Sequence, residues 1–130
     1  MPFDSDELEK RKGTIRKRLS EIPSVSQFKK SIKKIRDEHL LMKILAKVEE
    51  VLNDYTYGNK KTGNLAGIRA VKVEHQNVSY RLIYIAYSDE NSEEINILFV
   101  YFGKREECYN KIRKIFNGNT SLDKLRKEGK

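Results

Sequence analysis

Two apolar runs, Tyr80 to Tyr87 and Ile95 to Phe102, constrain this chain more than any other feature, and the turn-rich Ser88-Asp89-Glu90-Asn91-Ser92 separates them. Both runs are apolar on both of their alternating faces, the pattern of central strands covered on each side. A single arginine, Arg81, interrupts the first run near its start. An unpaired guanidinium withdrawn from water costs several kcal/mol. Arg81 therefore belongs either at the wet edge of a sheet or beside an anion.

The neighbouring segments extend the sheet and cover it. Ile68 to Glu74 alternates, with Val71 and Val73 on one face and Ala70, Lys72 and Glu74 on the other, as a half-buried strand does. His75-Gln76-Asn77-Val78-Ser79 reads as a hairpin turn, so the expectation is a three-stranded antiparallel meander. Upstream, Phe28, Ile32 and Ile35 form one apolar stripe on a helix that starts with a hydroxyl cap at Ser24 or Ser26. Asp37 caps a second helix carrying Leu41, Ile44, Leu45, Val48 and Leu52. Tyr55 to Gly67 is a basic loop rich in Gly and Asn, and Gly103-Lys104-Arg105-Glu106-Glu107 opens a last helix with Tyr109, Ile112, Ile115 and Phe116. The predicted fold is α+β: a helical hairpin packed on a small, mostly antiparallel β-sheet, with a C-terminal helix.

At 130 residues the chain suits one domain. Residues 1–21 read as a basic helical extension, interrupted by Gly13, that adds surface rather than core; residues 22–117 are the domain and 118–130 a polar tail. The 27 Lys and Arg outnumber the 19 Asp and Glu, and residues 9 to 36 hold eleven of those cations against Glu9 and Glu21 alone. Such clustering fits polyanionic partners, and it equally fits a lysine-solvated helix face. Cys108 has no disulfide partner in the chain, and no zinc-type spacing surrounds His39 or His75, so no metal or cofactor is expected. The longest apolar run is far too short for a membrane span, and a cytoplasmic protein without membrane contact is expected.

Three cations come from different pieces of the meander: Lys72 on the first strand, Arg81 at the start of the second, Arg105 just past the third. Antiparallel order allows all three to converge at one end of the sheet, within reach of Tyr109 and His75. Cations beside an aromatic, without paired carboxylates or a Ser/His/Asp set, suit a phosphodiester. An aromatic that stacks a base contributes roughly 1 to 3 kcal/mol. Lys72 and His75 are the candidate bases. The plainer account pairs Arg81 with Glu74, makes Arg105 a helix-start charge and places Tyr109 in the core.

In this order, the helical hairpin, Leu65-Ala66-Gly67 before Ile68-Arg69-Ala70-Val71-Lys72-Val73, then Tyr80-Arg81-Leu82-Ile83-Tyr84, then Val100-Tyr101-Phe102-Gly103-Lys104-Arg105-Glu106 with Tyr109 resemble the RelE/ParE superfamily of type II toxins across roughly residues 22 to 116. The resemblance to the RelE branch implies a metal-independent, cofactor-free endoribonuclease that cuts messenger RNA on the ribosome through the ribose 2′-hydroxyl, and that a partner antitoxin neutralises. It further implies Arg81 as transition-state stabiliser, Arg105 at the leaving oxygen, Tyr109 stacking the substrate and Lys72 as base, with Arg69, His75 and Lys104 as RNA contacts. A second lysine frequent in that branch is Ala70 here, which leaves its work to Lys72, Arg69 or His75. The alternatives are a ParE-like inhibitor of DNA gyrase and a non-catalytic basic RNA-binding module.

Overall fold

The computed structural model describes residues 5–60, 68–88 and 93–117, with side chains from residue 13 to residue 114 within those spans. Four helices and four strands follow in the order α1 (Ser5–Glu21), α2 (Ser26–Lys33), α3 (Glu38–Asn53), β1 (Asn59–Lys60), β2 (Ile68–His75), β3 (Val78–Ser88), β4 (Ile95–Lys104) and α4 (Arg105–Asn117). The strands form one antiparallel sheet in chain order. The predicted meander is present, with the two-residue β1 added to its outer edge. Helices thus flank an antiparallel sheet, the α+β arrangement expected, and α4 supplies the C-terminal helix.

Alternation sorts the sheet into two faces. Val71, Val73, Tyr80, Leu82 and Tyr84 share the face covered by α2 and α3, where Phe28 of α2 meets Phe99 with ring centroids 5.7 Å apart. Ile83, Ile85, Leu98 and Gly103 share the other, where α4 buries Cys108 and Ile112. A register shift after Ile83 lets Tyr84 pair with Phe99 and Ile83 with Tyr101, leaving Val100 as the extra residue of a bulge.

Several local expectations change. The N-cap of α2 is Val25, with no side-chain cap, rather than Ser24 or Ser26. The reason is tertiary: Val25 N donates to Phe99 O and Phe99 N to Pro23 O, both at 3.0 Å, so the linker is held as a short extended piece along the edge of β4. Ser31 Oγ continues that cover by accepting from Phe102 N at 3.2 Å. Edge groups left bare would invite pairing with another chain. In α3, Asp37 caps as expected, accepting from His39 N and Leu40 N. The buried stripe, however, runs Leu41, Ile44, Val48 and Val51, whereas Leu52 is exposed.

The extension contributes more than surface. α1 continues through Gly13, and Ile15 and Leu19 are buried in the main core with Ile22. Arg18 pairs with Glu49 of α3 at 3.3 Å, and Arg16 donates to the Ile35 carbonyl. Two apolar residues one turn apart are enough to dock a helix whose remaining face stays polar. Among the described residues, no helix is long and apolar enough to cross a membrane.

Candidate active site

The site begins with a turn. Gln76 and Asn77 both have positive φ, 48° and 64°, as a two-residue hairpin with the twist of its strands requires. The turn is thus confined to these two residues, while His75 and Val78 already pair as strand. That pairing sets the register, placing Glu74 opposite Ser79 and Lys72 opposite Arg81. On the far side of β3, Arg81 lies opposite Gly103. Directly opposed residues project to the same face, so Lys72 and Arg81 stand side by side on the α4 side of the sheet.

Arg81 is half-buried. Its guanidinium donates to Ser79 Oγ at 2.7 Å and to the Tyr80 carbonyl at 3.0 Å, both neutral acceptors. Lys72 instead pairs with Glu74 at 3.2 Å, on a stretch where both side chains are mostly exposed. The hydrogen bond from Lys72, then the one from Ser79 and the charges of Lys72 and Arg81, hold the Glu74 carboxyl below the usual range. An anion is already favoured in this corner.

The end of β4 brings the third cation. Lys104 is the last strand residue and Arg105 the first of α4, with no linker between them. Cys108 Sγ donates to the Gly103 carbonyl at 3.2 Å and reaches the Arg81 carbonyl at 3.4 Å, which ties the first turn of α4 to the strand that carries Arg81. Burial pushes the Cys108 thiol up to about 12, so it is a neutral packing group. Gly103 leaves room for the Tyr101 ring, since a Cβ there would lie 3.0 Å from it. Arg105 is exposed beside the corner, and Tyr109, one helical turn further, is half-buried.

The structure therefore sets Lys72 and Arg81 side by side, with Arg105 opening α4 where β4 ends opposite Arg81 and Tyr109 one turn along that helix, and it separates the other candidates. His75 is buried at 8% exposure on the opposite face, with Nε2 at 2.8 Å from Asp37 Oδ2. It links the hairpin to the cap of α3 and does not stand on the rim with Lys72. Arg69 pairs with Tyr84, three residues away along β2 and on the helix-pair face. It donates to Gly58 O at 2.8 Å and lies 5.6 Å from the Tyr55 ring centroid, so it fastens the loop before β1. Lys104, opposite Tyr80, is exposed at the same end as Arg81 but belongs to the helix-pair face. Leu65-Ala66-Gly67 and the turn at 89–92 lie outside the described residues.

Two further residues belong to this corner: Ser79 lies in strand rather than in the expected turn, and Cys108 is buried although it lies outside the expected apolar stripe of α4. The i, i+4 spacing of Cys108 and Ile112 was the available signal. Among the described residues, no group of three or more His, Cys, Asp or Glu side chains gathers as a metal site would need.

No curated protein and no solved structure matches the chain. The family model described as the ParE-like toxin of type II bacterial toxin-antitoxin systems matches residues 22–113, from the linker before α2 into α4 and well over half of the sequence. The chain belongs to the ParE-like family of type II toxins.

Proposed function

We propose that this toxin is an endoribonuclease that cleaves messenger RNA on the cytoplasmic ribosome, without a metal, through the ribose 2′-hydroxyl. The carrying observation is the cross-strand pair Lys72–Arg81 at a solvent-facing end of the sheet where Arg105 begins α4. Three cations from three different elements suit the doubly charged phosphorane-like state of a phosphodiester under attack. Membership in the family implies a cognate antitoxin as partner.

In this reading the scissile phosphate enters the corner that Glu74 now neutralises, and the Lys72–Glu74 pair opens as it arrives. Lys72 is the base that takes the proton of the 2′-hydroxyl and stands as the ammonium beside the developing charge, since His75 is committed to Asp37 on the other face. The 2′-oxygen bonds to phosphorus, the bond to the 5′-oxygen breaks, and the products are a 2′,3′-cyclic phosphate and a 5′-hydroxyl. Arg81, partly preoriented by Ser79, meets the nonbridging oxygens. Arg105 offsets charge on the leaving oxygen while solvent protonates it, and Tyr109 orients the adjoining base.

The ParE-like description of the matched family favours a second reading, poisoning of DNA gyrase. Expression of the chain separates the two. The ribonuclease reading expects growth arrest with cut messages and unaltered supercoiling in a gyrase assay. Gyrase inhibition with intact messages overturns it.

A further inference from the structure

A groove of about 550 Å³ opens along the outer edge of β2, lined by Lys43, Ala46, Lys47, Lys72, Val73 and Glu74. Lys72 belongs both to this groove and to the rim described above. The other two cations come from α3, four residues apart, about 6 Å along its axis. Lys43 Nζ donates to the Glu74 carbonyl at 3.0 Å, beside the rim. Lys47 Nζ lies 2.9 Å from Tyr57 Oη and 5.4 Å from the centroid of that ring, at the opposite end. Tyr57 and its neighbour Tyr55 are among the exposed large side chains of the molecule.

The order is a cutting rim, two lysines, then an exposed aromatic. Cations that follow a backbone, beside a ring on which a base can stack, are how proteins hold single-stranded nucleic acid. Neither lysine is bonded to a carboxylate in these contacts: each rests on a neutral oxygen that a phosphate readily outcompetes. We propose that this groove is a binding track for single-stranded RNA running from the rim, with Lys43 and Lys47 meeting phosphates and Tyr57 stacking a base. The inference rests on the ribonuclease reading and adds the path of the substrate outside the cut.

Ribosome-bound message is the substrate for cleavage, and a 2′-deoxy oligonucleotide of the same sequence is the uncleavable binding probe. Paired Lys43→Gln and Lys47→Gln substitutions remove the charges and leave polar side chains that helices tolerate. They are expected to raise KM about tenfold with kcat within about twofold, and to reduce the salt slope of probe binding by about 1.4, at roughly 0.7 per phosphate contact on a single strand. Tyr57→Leu is expected to weaken probe binding at least about fivefold, and Tyr57→Phe to restore it. If wild type cuts RNA while KM and salt slope stay unchanged in the lysine variant, the track is wrong and the ribonuclease reading stands. Loss of antitoxin affinity with RNA binding intact also overturns it, making the groove a protein-binding surface. If wild type neither binds the probe nor cuts message, both proposals fall.

Discussion

Arg69 and Arg81 are both half-buried and sit on adjacent strands of one sheet, yet their surroundings assign them different work. Arg69 lies at the end where the chain before β1 folds back. It donates to backbone carbonyls at Gly58 and Thr56, near Asp54 and over the Tyr55 ring. Tyr84 completes that knot, donating to Tyr55 O at 2.7 Å and accepting from Gly58 N at 2.8 Å. Arg81 lies at the opposite end, its guanidinium bonded to the nearby Ser79 and Tyr80, beside Lys72 and the start of α4. One arginine fastens backbone carbonyls of the segment before β1; the other stands where cations accumulate. Residue type does not distinguish them, whereas face and position along the strand do.

The largest expected effect breaks this contrast at Arg81. Arg81→Ala should reduce RNA cleavage at least about 100-fold, the scale of losing one oxyanion-stabilising donor, while the melting temperature changes little. Arg69→Ala should do the reverse, keeping most cleavage and lowering stability by about 1 to 3 kcal/mol as Gly58 O loses its partner; chemical denaturation with parallel cleavage assays reads both. Gly58→Ala sharpens the structural side. Its Cβ would fall 2.8 Å from the Tyr84 ring, which is fully buried and cannot retreat, and a loss of about 1 to 3 kcal/mol is expected.

Asp37→Ala addresses the residue that removed His75 from the rim. Loss of the α3 cap should cost about 0.5 to 2 kcal/mol at neutral pH. The hydrogen bond to His75, then those to Leu40 and His39, outweigh desolvation and hold the Asp37 carboxyl below its ordinary value. A depressed carboxyl stabilises the fold above its unfolded value, about 3.9, and that contribution fades as pH falls through the folded value. The stability gap between wild type and Asp37→Ala should therefore be full at pH 7 and shrink under acid. A gap that persists unchanged into acid would deny Asp37 this role.

The smallest effect concerns Glu74. Glu74→Gln frees Lys72 and removes the anion next to Arg81, so probe binding should tighten by a few fold at low salt and converge with wild type as salt screens the corner. Weaker binding would mean that Glu74 positions Lys72 rather than competing with the phosphate.

The contrast also explains what was legible in the sequence. Strand alternation put Lys72 opposite in face to Val71 and Val73, and antiparallel order put Arg81 and the end of β4 together; both depend on local pattern and hold. The exact pairing of Lys72 with Arg81 depends on a turn of two residues rather than five, a backbone detail that Gln76 and Asn77 signal weakly beside Asn-Gly. The fates of His75 and Arg69 depend on Asp37 and Gly58, 38 and 11 residues away, which no local pattern reports. The same holds for Val25 at the α2 cap, because Phe99 captures its backbone. Ile15 and Leu19 looked too sparse to bury a helix until α3 lay beneath them.

The Lys72–Arg81–Arg105 end of this toxin is proposed to cut RNA through the 2′-hydroxyl. The most direct test of this proposal is a ribosome-bound message carrying one 2′-deoxy residue at the mapped cleavage position. Wild type is expected to cut the all-ribose message to leave a 2′,3′-cyclic phosphate and to leave the deoxy-substituted position intact. Cleavage at that deoxy position, or no cleavage of either message, would contradict it.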